Sequence, residues 1–400
     1  MNGLRHDTRR QLLLYGIAFG CFFQQSVLFP VLPLYVGEFG VSVAVIGFVL
    51  SARFLIPAMI AAQIGAWTSR LGLRRSLIGA GLAMTGAAGL YLVSDSVATL
   101  LLAQVVNGVL YLFAWIAAQT YATRMPNRDF VLGIFATTTA VGMAVAPILG
   151  GLALDLGGFD WAFGLYGAGA LALAANALAL GDTPIGRPMA PKHRAHSGRT
   201  RELLARPGLQ AAFLFSFLCL FTISMRGNVV PLFLDEIGYS ASLIGLVLGA
   251  GSLGQAAVRP FTHVLLRNFS LTTTMVLAVA FAIVGLAAMP FLPLSGVLLV
   301  LAFMHGGGAG LHQSLGLVLV ADDTSDDERG FAVGVRATVN QVAVAIAPIA
   351  AGLVAAMAGL GPMLVILAAA LALTIPFLRR VLRRADASRQ AARTSITDAA

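Results

Sequence analysis

Four arginines, Arg53, Arg226, Arg259 and Arg336, fall inside long apolar runs of this chain, and no aspartate or glutamate falls near the middle of any such run. A guanidinium stays charged at any ordinary pH, so in an apolar surrounding it is costly unless water or a ligand anion compensates it. The pattern points to an electropositive cavity that takes an anion. Arg53 and Arg226, nearest the middle of their runs, are the expected ligand contacts. Arg259 and Arg336 lie toward one end, where a gate role competes. Amides and aromatics recur with them at helical spacing. Gln104, Tyr111, Trp115 and Gln119 form one stripe with Asn107 beside it, and Arg336 and Asn340 form another, while Gln24 and Gln25 add amides. The candidate ligand-contacting set is therefore Arg53, Arg226, Gln24, Gln25, Asn107, Tyr111, Trp115 and Asn340, with plain interhelical hydrogen bonding as the alternative for each. Of the ionisable groups, only imidazole titrates near neutrality unaided, at about 6.5. His305 and His312 are thus the candidates for moving a proton, against a structural role for both. No nucleophile, base and orienting acid stand together and no Cys/His metal spacing exists, so neither an enzyme, a cofactor nor a metal is expected. Cys21 and Cys219 read as small buried apolar residues.

The elements that position these groups follow from composition. Hydrophobic residues make up 58% of the chain and charged residues 11%, with a mean hydropathy of +0.87. That is the profile of an integral membrane protein. Apolar runs able to cross a hydrocarbon core of roughly 30 Å as helices fall near 11–36, 43–66, 76–94, 98–122, 131–155, 161–181, 209–234, 242–265, 271–291, 296–320, 331–357 and 361–378. They predict an all-α membrane protein of twelve spans. The first run is too long for a cleaved signal and is expected to remain as a helix. Arginines cluster in alternate connections, at 5–10, 70–75, 124–128, 183–208, Arg267, Arg329 and the tail, which predicts a bacterial inner-membrane protein with both termini on the cytoplasmic side. The net charge of +9 is then a topology signal, and membrane lipid rather than nucleic acid is the expected contact. Residues 322–328 hold an acidic run read as a solvated loop near basic partners. Glu38, Asp155, Asp235 and Glu236 sit at outer ends, where they cap helices or close an outer gate.

The chain also repeats itself. Residues 19–55 align without a gap on 217–253, so that Ser26, Pro33, Gly40, Ser42 and Gly47 recur as Ser224, Pro231, Gly238, Ser240 and Gly245. Likewise Arg128, Pro147 and Gly151 recur as Arg329, Pro348 and Gly352. The expected organisation is a six-helix half over 1–182, a cytoplasmic linker over 183–208, a pseudo-symmetric six-helix half over 209–380 and a tail over 381–400. Two such halves rocking about a central site are the architecture of alternating access.

Residues 65–75, GAWTSRLGLRR, resemble the signature loop of the major facilitator superfamily, G-x-x-x-D-R/K-x-G-x-R/K-R/K. Gly65, Arg70, Gly72, Arg74 and Arg75 match, and Ser69 stands at the aspartate position. The resemblance implies an inner gate in which the cations meet carbonyl ends or acids of the opposite half, and an outward-facing state less firmly locked for want of the aspartate. Gly142, Ala146, Pro147, Gly150 and Gly151 resemble the antiporter motif G-x-x-x-G-P-x-x-G-G, with Ala146 replacing a glycine. Of a third motif, R-x-x-Q-G, only Gln104 to Gly108 remains, without its arginine. The similarity is to the drug:proton antiporter branch. It implies a monomeric secondary transporter that exports a small organic molecule, here anionic, in exchange for protons. An importer or symporter and a multidrug efflux pump are the alternatives, and a receptor or scaffold without turnover is the reading from a different class.

Overall fold

The computed structural model describes residues 2–181 and 202–397, so most of the 183–208 segment and the last tail residues lie outside the described residues. Every described element is helical: α1 (Asn2–Gly37), α2 (Val43–Leu71), α3 (Leu73–Leu92), α4 (Val97–Ala122), α5 (Arg128–Ala179), α6 (Pro207–Asn228), α7 (Val230–Glu236), α8 (Ala241–Val258), α9 (Thr262–Asn268), α10 (Leu271–Ala287), α11 (Ser295–Gly310), α12 (His312–Asp323), α13 (Asp326–Ala358), α14 (Leu360–Ala372) and α15 (Ile375–Thr397), with two short 3-10 turns between. Ten stretches among them are long and apolar enough to cross a bilayer. One of the ten, in α5, breaks at Gly157 and Gly158, the second at φ 69°, and divides into two limbs. The twelve expected spans count both limbs and also α3, which has 20 residues, Arg74 and Arg75 in its first turn, and no place among the ten.

Three spans read as continuous in the second half are interrupted. Pro231 opens α7 after the break at Val229, Pro260 sits in the 3-10 turn after α8, and the glycine-rich end of α11 yields to α12 at Leu311. A proline lacks the N–H that a continuing helix would use, whereas it fits a first turn. Pro30, Pro33, Pro57, Pro147 and Pro348 are instead held inside helices.

Two separate apolar cores form, one from residues 14–180 and one from residues 203–382. The repeated residues take matching local geometry. Gly40 and Gly238 have φ of 65° and 85°, and the hydroxyls of Ser42 and Ser240 accept from the N–H of Val45 and Leu243 at the starts of α2 and α8. Between the cores run two close seams at the end of the bundle away from the 65–75 loop. A side chain on Gly47 would strike the Pro348 carbonyl, and one on Gly245 the Pro147 carbonyl. Small residues let these helices touch backbone to backbone, the usual way of packing where lipid removes the hydrophobic drive.

Candidate functional site

A cavity of about 450 Å³ lies between the two halves. Its wall in the first half comes from Phe22, Gln25 and Phe29 of α1, Arg53, Phe54 and Ala61 of α2, and Tyr111, Trp115 and Gln119 of α4; in the second half it comes from Ser224 and Asn228 of α6 with Asn340 and Gln341 of α13. From Phe29 and Asn228 it extends along α2 and α4 toward the end that carries the 65–75 loop.

Arg53 is the charged group of this wall. It is 3% exposed, with its guanidinium 4.5 Å from the centre of the Phe54 ring and 5.1 Å from that of Phe29. A ring face offsets part of a cation's desolvation, by about 0.5 to 2 kcal/mol. No carboxylate pairs with Arg53 among the described residues, and its Nε has no hydrogen-bond partner. The backbone beneath it is fixed by Gly108, where any side chain would strike the Arg53 carbonyl, and by Gln104, whose amide donates to the Val49 carbonyl at 3.4 Å while accepting from the Tyr91 hydroxyl at 2.8 Å.

Around this cation the wall is aromatic on one side and amide-rich on the other. Phe22 meets Trp115 edge to face at 4.8 Å and Tyr111 at 6.1 Å. Asn107 stands behind the wall, fully buried: the Tyr166 hydroxyl donates to its Oδ1 at 2.9 Å and its amide donates to Gln25 Oε1 at 3.4 Å, which orients Gln25 toward the cavity. Across from them the Ser224 hydroxyl donates to the Val344 carbonyl at 2.8 Å, and the Asn228 amide donates to the Ser224 carbonyl at 2.9 Å. Asn340 Oδ1 is buried without a partner.

Of the residues expected from sequence, Arg53, Gln25, Tyr111, Trp115 and Asn340 line the cavity. Gln24 does not, since its amide is spent on the Cys21 carbonyl, one turn back. Arg226 does not either: its guanidinium passes over Gly251, where a side chain would collide with it, and donates to the Leu248 carbonyl and at 3.5 Å to Ser252 Oγ. The pairing of Arg53 with Arg226 in one site is therefore replaced by a single arginine. Arg336 ties α13 to α6 and α12 through Ser216 Oγ at 3.4 Å and Gln313 Oε1 at 3.5 Å, and Arg259 opens the 3-10 turn after α8. His305 and His312 stand apart from the cavity on separate helices. The first is fully buried with neither ring nitrogen hydrogen-bonded, and the second has Nδ1 2.8 Å from the Ala309 carbonyl. Ser224, Asn228, Gln119 and Gln341 were not in the expected set. Ser224 was signalled by its repeat partner Ser26, which lines the same cavity.

The 65–75 loop turns at Gly72, whose φ of 89° favours glycine and whose N–H donates to the Thr68 carbonyl. Arg74 donates to the carbonyls of Ala177 and Leu178 at 3.3 and 2.6 Å, at the end of α5 in its own half. Those carbonyls lack helical partners and carry the negative end of the helix dipole, which attracts the nearest cation. The Ser69 hydroxyl returns to the Gly65 carbonyl. In α5, Gly142 and Gly150 lie against the α1 backbone at Phe19 and Val27, Ala146 is fully buried, and the Pro147 carbonyl and Gly151 face α8. The acidic run meets a basic partner within the second half. Arg206 holds Glu328 through two hydrogen bonds of 2.9 and 3.0 Å, and this, with the Ser325 N–H, holds the Glu328 carboxyl down to about 2.

The family model described as Major Facilitator Superfamily matches residues 14–296 and 212–398. The chain is 32% identical over 155 residues to the multidrug resistance protein MdtG of Proteus mirabilis, covering 36% of this chain and 39% of that one. It is 25% identical over 249 residues to the multi-drug resistance efflux pump PmrA of Streptococcus pneumoniae, covering 58% and 61%. The matches thus span less than two thirds of these relatives. Among solved structures, the nucleoside transporter NupG superposes with a TM-score of 0.77 at 16% identity over 93% of this chain and 99% of that one. A bacterial homologue of the lysosomal transporter Spinster, inward-facing and unoccupied, superposes with a TM-score of 0.70 at 18% identity over 96% and 93%.

Proposed function

The chain belongs to the Major Facilitator Superfamily, and from that premise we propose that it is a secondary active transporter of the inner membrane that exports small organic anions by alternating access. On this reading both termini and the 65–75 loop lie in the cytoplasm, and the structure, with its two seams closed at the opposite end and its cavity reaching toward that loop, represents an inward-facing state. The observation that carries the substrate class is Arg53, a buried cation that faces a cavity with rings for company and no carboxylate. A substrate carboxylate would complete its charge, its apolar body would rest on Phe22, Tyr111 and Trp115, and Gln25, Asn228 and Asn340 would bind its polar edge. Exchange against protons supplies the drive, with His305 and His312 responding to the two facing states rather than touching substrate. The test is uptake of labelled aromatic and aliphatic carboxylates into inside-out vesicles under an imposed pH gradient. Transport of carboxylates that is lost in Arg53→Gln supports the reading. Equal transport by the variant rejects it.

A second reading, a multidrug efflux pump, is favoured by the aromatic wall and by the names of the two curated relatives. It predicts resistance of expressing cells to lipophilic cationic dyes, which the anion reading does not.

A further inference from the structure

The two seams that join the halves are built from repeated residues and differ in one group. In the first, a side chain on Gly151 of α5 would meet the Ala241 carbonyl and Ser242 at the start of α8. In the second, one on Gly352 of α13 would meet the Val43 carbonyl, at 2.6 Å, and Ala44 at the start of α2. Four residues beyond Gly151 stands Asp155, whose carboxylate crosses to the other half and accepts from the N–H groups of Ala241 at 3.0 Å and Ser242 at 2.8 Å. Ser240 already serves Leu243, the next donor of that helix. The first three N–H groups of α8 are therefore satisfied, two of them from the opposite half and at the positive end of the helix dipole. Four residues beyond Gly352 the chain has Ala356, exposed and without any acceptor. Among the described residues the second seam closes by close backbone packing, at Gly47 against the Pro348 carbonyl and Gly352 against the Val43 carbonyl, with no carboxylate across it.

We propose that Asp155 is a one-sided latch of the outer gate: it ties the α5–α8 seam shut in the inward-facing state, and the outer face opens first along the α2–α13 seam, which has no such tie. This rests on the alternating-access reading above. A carboxylate that caps donors across a gap is bonded only while the gap is closed, so it adds to the stability of one state and to nothing in the other.

The test uses the full chain with Cys21→Ala and Cys219→Ala and one reporter, Ala337→Cys, on the cavity wall, labelled in vesicles by a membrane-impermeant maleimide from either side. The parent is expected to label quickly from the cytoplasmic side and slowly from outside. Asp155→Ala should label from outside about fivefold faster, which corresponds to roughly 1 kcal/mol, the usual worth of a helix cap. Asp155→Asn, which keeps one acceptor, should fall between. Ala356→Asp, which installs the missing carboxylate, should label from outside more slowly than the parent, and Asp160→Ala at the parent rate. If Asp155→Ala and Ala356→Asp both label from outside at the parent rate while cytoplasmic labelling persists, the latch is wrong and alternating access stands. Should Asp155→Ala fail to insert, an outside rate in Ala356→Asp equal to the parent's overturns the latch by itself. A reporter that labels from neither side in any variant overturns both readings.

Discussion

At the scale of single residues, Arg53 and Arg226 look alike in sequence and differ in what surrounds them. Both are buried cations in apolar helices, yet Arg53 faces a cavity and two rings, whereas Arg226 is committed to the Leu248 carbonyl and Ser252. Their substitutions should therefore separate. Arg53→Gln is expected to lower transport more than tenfold with the melting temperature in detergent nearly unchanged, and Arg53→Lys to recover only part, since an ammonium lacks the planar face that stacks between rings. Arg226→Gln is expected to cost about 1 to 3 kcal/mol of stability by removing a buried charge-assisted hydrogen bond to the Leu248 carbonyl, seen as a lower melting temperature. Parallel transport and melting measurements on the purified variants check both, and equal loss of transport at equal stability would return Arg226 to the site. Nothing local distinguishes the two arginines in the sequence. The difference arises in α8, where Gly251 leaves room for one guanidinium, and spacing within α6 carries no information about that neighbour.

At the scale of elements, hydropathy and punctuation carried much of the architecture. The runs 131–155 and 161–181 correspond to the two limbs of α5, whereas the runs 209–234 and 242–265 pass over the breaks at Pro231 and Pro260, where proline removes a donor. The break at Leu311 has no proline and was not legible, because a glycine-rich helix end depends on the packing around it. The turn at Gly72 was legible from its glycine. Gly72→Leu must hold a branched side chain at φ 89°, at a cost of about 1 to 2 kcal/mol, and is expected to reduce transport while the protein still inserts; wild-type transport would remove the turn from the gate. The Arg206–Glu328 bond that fastens the start of α13 to the start of α6 has a pH signature. Its carboxyl is held below the ordinary value of 4.5, to about 2, first by Arg206 and then by the Ser325 N–H. A depressed folded-state value means the stabilisation is complete above about pH 4.5 and is lost as pH falls toward 2. Half-exposed as Arg206 is, the bond should contribute no more than about 1 kcal/mol. Melting curves of Glu328→Gln against the parent should therefore differ at pH 7 and converge as the pH is lowered through that window. A gap that persists to low pH would show that the glutamine disturbs packing instead.

At the scale of the whole molecule, the repeat visible at an offset of about two hundred residues anticipated the matched turns at Gly40 and Gly238 and the matched caps at Ser42 and Ser240. It did not anticipate which residues cross between halves, since crossing contacts depend on how two separately folded cores dock. Because each core closes on its own residues, residues 1–190 and 191–400 expressed as two chains are expected to copurify and restore transport, with either alone inactive; transport assays after coexpression check this, and failure of the halves to associate would mean that the connecting segment is required for docking. The cavity wall has one more property of use. The chain has three tryptophans. Trp67 and Trp161 are 45% and 63% exposed, while Trp115 sits in the cavity wall against Phe22. With the other two changed to phenylalanine, the emission of a single indole reports occupancy, so the protein carries its own optical probe and ligand affinity becomes a titration read without any label.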